Sequence, residues 1–223
     1  MQVAQRGTSS TVSGYGTVDM FRPFYSGTDE APTQAQADVA SGTTPYTSGF
    51  RKSLKITNGN QTSGAGTADV IEFATKLEAQ DIANSGWNYT SASSFITLSF
   101  WVKSSVAQNF YGQLVTTDGT SQNYPFETGS LSADTWTKIT KTIPGNSNLQ
   151  FDNNANKGID IKWIMFRGSD TTGSVSLNAW AANNNSVRVP NNTSTWYTTN
   201  DATFEVTGVQ LEVGSVATDF EHR

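Results

Sequence analysis

Two kinds of side chain in this sequence have the chemistry to act on, or hold, another molecule: carboxylates and aromatics. Glu72 and Glu78 fall on or beside one strand-like run, and Glu205 and Glu212 on another. A pair of suitably spaced carboxyls is all that glycoside hydrolysis requires. Glu72 has the parity opposite Ile71, Phe73 and Leu77, so it points away from their core face, and no motif lifts either pair above ordinary outward carboxylates. A nucleophilic relay needs an imidazole held by folded structure, and the one histidine, His222, stands next to the last residue. The absence of cysteine removes thiolate catalysis, disulfides and Cys-type zinc or iron–sulfur centres. The expectation is no catalytic residue and no cofactor. Asp201, Asp219 and Glu221 and the oxygen-rich NNANKGID (153–160) leave room for a structural calcium, but none has the spacing of a calcium loop and no metal ligand is assigned.

Aromatics carry the binding expectation. Six Trp, seven Tyr and twelve Phe make up 11% of the chain, and sugars lay their apolar ring faces on such platforms while Asn, Gln, Asp or backbone bond the hydroxyls. Trp87 and Tyr89 sit in NSGWNYT (84–90), and Trp196 and Tyr197 in NNTSTWYTTN (191–200). Trp180 has the parity opposite Val175, Leu177 and Ala179. These five are the candidate contacts to a glycan or protein partner. The competing reading is that each loop folds its aromatic beneath itself. Trp136, at the start of a strand, and Trp163, in line with Ile161 and Met165, read as structural.

The elements that must position these groups are strands. Residues 95–103 alternate, with Ile96, Leu98, Phe100 and Val102 on one face and Thr97, Ser99, Trp101 and Lys103 on the other. The run 50–57 repeats the pattern, and further strands are expected near 70–77, 109–116, 136–143, 174–180 and 186–189, with single helical turns in 29–40 and 78–85. Two strands break the rule. In 204–213 the apolar parity switches at Thr207-Gly208, as a β-bulge would cause, unless the strand changes sides. In 159–167, Ile159, Ile161, Trp163 and Met165 share one face and Ile164 and Phe166 the other, which calls for a second cover: the amino-terminal segment or another subunit. The fold class expected is an all-β, jelly-roll-like antiparallel sandwich with little helix. It forms one domain over 1–223, in which 1–45 is an irregular lead-in with one or two strands.

Composition agrees. Only 15% of residues are charged, 19 are Gly, and the formal charge is −5, so there is no basic footprint for nucleic acid or anionic lipid. No apolar run approaches the ~18 residues of a membrane span, and the polar start lacks a secretory core.

Four segments, in order, carry a resemblance: MQVAQRGTSSTVSGYGTVDMF (1–21), LEAQDI (77–82), LSFWVKS (98–104) and GVQLEVGSVATDFEHR (208–223). Together they resemble a family of tail-fibre-like virion proteins of bacteriophages, especially marine ones. The resemblance implies a jelly-roll-like sandwich at the particle surface, on a tail or capsid appendage, working as a fibre, knob or decoration. It implies other virion proteins and copies of itself, as a homotrimer, for partners. Relatives usually have more chain on both sides, so Met1 is expected to be an internal methionine of a longer protein. Where relatives carry Asp-Arg-Trp this chain has Asp19, Met20 and Phe21, and where they carry Thr-Pro it has Thr218-Asp219. The function expected is a virion structural domain that attaches to host-surface glycan. The alternatives are a pure assembly module, a carbohydrate-binding module of a polysaccharide-degrading enzyme, or a depolymerase.

Overall fold

The computed structural model describes residues 1–221 and is an all-β, jelly-roll-like sandwich of two antiparallel sheets. The strands are β1 (Ser9–Ser10), β2 (Phe21–Ser26), β3 (Thr33–Asp38), β4 (Lys52–Thr57), β5 (Val70–Glu78), β6 (Phe95–Ser104), β7 (Asn109–Thr116), β8 (Gln122–Ser130), β9 (Thr137–Pro144), β10 (Lys157–Arg167), β11 (Ala181–Ala182) and β12 (Thr203–Val213). Three single-turn helices interrupt them: α1 (Thr44–Thr47), α2 (Ala79–Ala83) and α3 (Thr195–Thr198). The first sheet runs β1-β3-β4-β12-β6-β9 and the second β11-β8-β7-β10-β5-β2. No helix among the described residues is long and apolar enough to cross a membrane. His222 lies outside the described residues.

Strands form where period-two alternation lets one side of each be buried. Ile96, Leu98, Phe100 and Val102 of β6 are all within 3% of full burial, as the alternation requires. Across the core stands Trp163 of β10, stacked on Phe73 (5.1 Å, 13°) and edge-on to Phe100 (5.5 Å, 87°). Gly112 of β7 pairs with Trp163, and the space a side chain would take there is filled by Phe126, whose ring carbon would lie 2.2 Å from an added Cβ. The Trp163 indole N–H has no acceptor among the described residues.

Both irregular strands are bulged. In β12, Thr207 pairs with Trp101 and Gln210 with Ser99, so Gly208 and Val209 together face Phe100. Gly208 has φ +60°, a conformation that costs glycine little. Beyond it, Val209 and Leu211 pack half-buried against the core, Leu211 paired with Leu98, while Val213 at the strand end pairs with Ile96 and is exposed. A second bulge, which the sequence did not reveal, lies in β10: Ile164 pairs with Glu72 but Phe166 with Ile71. It returns Phe166 to the core, where it stacks on Tyr197 (4.4 Å), and turns Arg167 outward. Only Ile164 stays on the outer face, where it is 1% exposed.

The cover over that face corrects two expectations. It comes neither from the amino-terminal segment nor from a second subunit but from residues 168–193 of the same chain. Asn123 of β8 donates to the Arg188 carbonyl (2.7 Å), Asn192 accepts from the Arg167 amide (2.8 Å), and Val189 is fully buried beside Thr172. This covering segment replaces the strands expected at 174–180 and 186–189; apart from a 3-10 turn at Ser169–Thr171 and β11 it is irregular. The helical turn expected in 78–85 is α2, whereas 29–40 holds strand β3. The lead-in has three strands rather than one or two. β8 was missed because Pro125 interrupts it; the proline is tolerated because its only neighbour on one side is the two-residue β11.

Replacing Gly208 by Ala would force a side chain into a left-handed conformation and place its Cβ 2.6 Å from the Phe50 ring. Urea denaturation is expected to show a loss of about 1–3 kcal/mol; an unchanged midpoint would mean that the bulge does not need glycine.

Candidate functional site

The outward residues of β2, β5 and β10 line up across the ladder and build a polar cleft. Arg22 pairs with Ala74 and Ala74 with Lys162; Phe24 pairs with Glu72; Lys76 pairs with Asp160. Arg167, turned out by the β10 bulge, and Arg188, from the covering segment, complete its wall. The cleft encloses about 410 Å³ and gathers five cations, Arg22, Lys76, Lys162, Arg167 and Arg188, against two carboxylates, Glu72 and Asp160.

Glu72 is the hub of this face. It is 4% exposed and holds Lys162 Nζ at 2.7 Å on one oxygen and Arg167 Nη2 at 2.6 Å on the other, with Arg167 Nε at 3.2 Å. Burial by itself would push its carboxyl up, but Arg167 and Lys162 together outweigh that and hold it below the ordinary carboxylate range. Asp160, 7% exposed, receives Lys157 Nζ on one oxygen (2.7 Å) and has no partner for the other among the described residues. Arg188 donates through Nη2 to Asn185 (2.8 Å) while its Nε has no partner among the described residues. Towards β7 the polar floor runs on beneath the covering segment. Gln113, beside Lys162 and fully buried, has no partner for either amide atom among the described residues. Unmatched buried polar groups cost about 1–3 kcal/mol each, so a native sheet keeps so many only where water or a ligand meets them.

The five aromatics singled out in the sequence are not brought together. Trp87, Trp196 and Tyr197 are 3%, 0% and 1% exposed, which corrects their assignment as surface contacts. Their polar atoms are used internally: Trp87 Nε1 donates to Ser94 O, Trp196 Nε1 to Thr203 O, and Tyr197 OH to Asp69 (2.8 Å). Burial, and then Asp69, raises the Tyr197 phenol well above its ordinary value. Tyr89 is half-buried edge-on to Phe151 (5.0 Å), and Trp180 is half-buried against Tyr124 (5.2 Å) with its indole N–H on Pro144 O. The loops fold their rings beneath themselves, joining the hydrophobic core, where burial removes their large apolar area from water. The ring that does border the cleft is Phe24, 37% exposed, which parity alone could have marked as outward. On the opposite sheet, Trp101 borders a separate groove with Ser99, Lys138 and Asp219.

The carboxylate pairs do not assemble. Six strand residues put Glu72 and Glu78 about 20 Å apart, against the roughly 5–10 Å of a glycosidase pair. Glu78 bonds Gln80; Glu205 is held by Lys103 (3.0 Å) and Ser53 (2.9 Å); Glu212 takes Gln210 and the Thr218 amide. Among the described residues no three His, Cys, Asp or Glu side chains gather as a metal centre would require, and Asp201, Asp219 and Glu221 form no such cluster.

No protein-family model matches the chain, and no curated protein matches it. Solved structures similar to it include the enzymatically active domain of tailspike protein 4 of bacteriophage CBA120 (TM-score 0.45, 9% identity), of which the match spans 87% of this chain but only 19% of that one. The N-terminal cellulose-binding domain of Cellulomonas fimi β-1,4-glucanase C matches over 96% of this chain and all of its own (TM-score 0.44, 11% identity). A family 11 carbohydrate-binding module from Clostridium thermocellum, in complex with a mixed-linked tetrasaccharide, matches over 92% and 95% (TM-score 0.39, 11% identity). All three likenesses are weak, and no residue is carried over from them.

Removing the Glu72 carboxylate leaves Arg167 buried without a counter-charge, so Glu72→Ala is expected to cost about 3–5 kcal/mol at neutral pH. Because the folded carboxyl is held low, its stabilisation is complete above the unfolded value of about 4.3 and is lost as pH falls through the lower folded value. Denaturation against pH should therefore show wild-type stability falling below about pH 4, and less steeply in Glu72→Gln; identical acid slopes would contradict the clamp.

Proposed function

We propose that this chain is a non-catalytic glycan-attachment domain at the surface of a phage particle, a fibre, knob or decoration, and that it binds through the outer face of β2, β5 and β10. The observation that carries the reading is the cleft itself: a concave polar floor on rigid strands, with a nearly buried Asp160 oxygen and an Arg188 donor both unmatched inside it. Such groups suit a ligand that offers hydroxyl donors and oxygen acceptors together, and a saccharide does so at every ring. The separation of the candidate acids supports binding without cleavage. The four ordered sequence segments support the virion setting.

Partners among copies of itself, as a homotrimer, and among other virion proteins belong to the same reading. Val3 and Met20, 52% and 64% exposed, border one groove with Leu77, Val209 and Leu211, an apolar surface that another chain could cover. The same residues favour a second reading, a pure assembly module with no host ligand.

Retention on host-surface polysaccharide separates the two. Wild-type protein is expected to be retained, Ala74→Trp, which fills the cleft floor, to lose binding about tenfold or more, and Thr140→Trp on the exposed outer face of the other sheet to behave as wild type. Equal retention of all three would move the site elsewhere, and no retention of any would leave the assembly reading. Sedimentation at micromolar concentration is expected to give the mass of three chains; a stable monomer would remove the trimer.

A further inference from the structure

We infer that the glycan taken by the β2–β5–β10 cleft is an acidic one, a polysaccharide bearing carboxylate or sulfate groups. The inference rests on the glycan-attachment reading and specifies its ligand class.

Charge accounting within the cleft is the starting point. The chain carries −5 overall, yet this one face sets five cations against two carboxylates. At physiological ionic strength a charge is felt over only about 8 Å, so a ligand in the cleft responds to these groups and not to the remote excess of acids. Both carboxylates are already engaged. Glu72 is saturated by Lys162 and Arg167, and Asp160 spends one oxygen on Lys157, which lies outside the cleft lining. Arg22 and Lys76 have no hydrogen-bond or ion-pair partner among the described residues, and both are half-buried rather than extended into solvent. Arg188 adds its unmatched Nε.

Position matters as much as number. Arg22, Ala74 and Lys162 form one row across three neighbouring strands, so a residue with almost no side chain lies between two cations. Two strand spacings put their Cβ atoms about 10 Å apart, a trough the width of one sugar ring with the unpaired Arg22 on one side and the Glu72-bound Lys162 on the other. In the neighbouring row Lys76 stands beside Asp160, whose free oxygen can take a hydroxyl proton. A neutral glycan would satisfy Asp160 and accept hydrogen bonds from Arg22 and Lys76, but it would leave their positive charge uncompensated. A nucleic-acid strand would match the cations but would set its phosphates against Asp160 and find one ring, Phe24, to stack on. A sugar carrying both hydroxyls and an anionic group answers every unmatched group at once.

The test is affinity electrophoresis of the whole chain through gels containing polygalacturonate, a sulfated galactan, a neutral β-glucan or single-stranded DNA. Retardation is expected in at least one acidic polysaccharide, and which of the two acts tells carboxylate from sulfate. Retardation should weaken about tenfold or more between low salt and roughly 0.5 M NaCl, and by a similar factor in the Arg22→Gln/Lys76→Gln double variant. Both residues are on an outer face, and circular dichroism of the variant checks that it folds. Binding to the neutral glucan that Ala74→Trp abolishes and the double variant retains would overturn the acidic ligand while leaving glycan attachment standing. Retardation by DNA as strong as by the acidic polysaccharides would overturn it by showing that charge alone suffices. Retardation by none of the four would overturn both.

Discussion

One pairing governs both sides of the second sheet: the ladder between β5 and β10. In its register Phe73 stands opposite Trp163 on the inner face, and Glu72 opposite Ile164 with Lys162 one step away on the outer face. The inner pair stacks at 5.1 Å and seeds the aromatic core; the outer groups make the Glu72 clamp. Because side chains alternate strictly, a slip by one residue would put Glu72 into the core and Phe73 into the cleft. The hydrophobic cost of that slip fixes the register, and the register delivers the charged face at no further cost in specificity. Core and site are two readouts of one backbone arrangement.

The bulge at the end of β10 is what completes the clamp. Without the extra residue Arg167 would share the side of Trp163 and Phe166 the side of Glu72. With it, the arginine reaches Glu72 at 2.6 Å and the phenylalanine stacks on Tyr197. Segment 168–193 then folds back over the outer face, burying Ile164 and Val189 and bringing Arg188 to the cleft wall. The cover leaves part of the outer face of β2, β5 and β10 open, and that stretch is the cleft. A buried carboxylate with two cations is a weak source of net stability, since desolvation consumes most of what the pairing returns. What it does fix is where Lys162 and Arg167 lie, each held on one oxygen of Glu72.

How much of this the sequence disclosed depended on whether a local pattern was sufficient. Strands β4, β5, β6 and β7 were legible because alternation is a local consequence of burying one face. The Gly208 bulge was legible because a parity switch coincided with a glycine. The β10 bulge was not: Met165 is no glycine, and apolar residues on both parities masked the switch. β8 was hidden by Pro125, whose acceptability depends on where the strand lies in the sheet. The outward direction of Glu72 was correct, but the cations that bury and clamp it come from another strand 90 and 95 residues away, beyond any local signal. Aromatics beside Asn and Thr were the weakest guide. Composition does not say which way a ring turns, and at Trp87, Trp196 and Tyr197 the sandwich took it inward.

The most direct measurement is an NMR titration of the labelled chain with an acidic oligosaccharide. The account predicts that amide shifts concentrate at Arg22, Ala74, Lys76, Lys162 and Arg188 while Trp101 and Lys138 on the other sheet stay still. Shifts confined to the Trp101 groove or to the loop around Trp180, with the β5–β10 face silent, would contradict it.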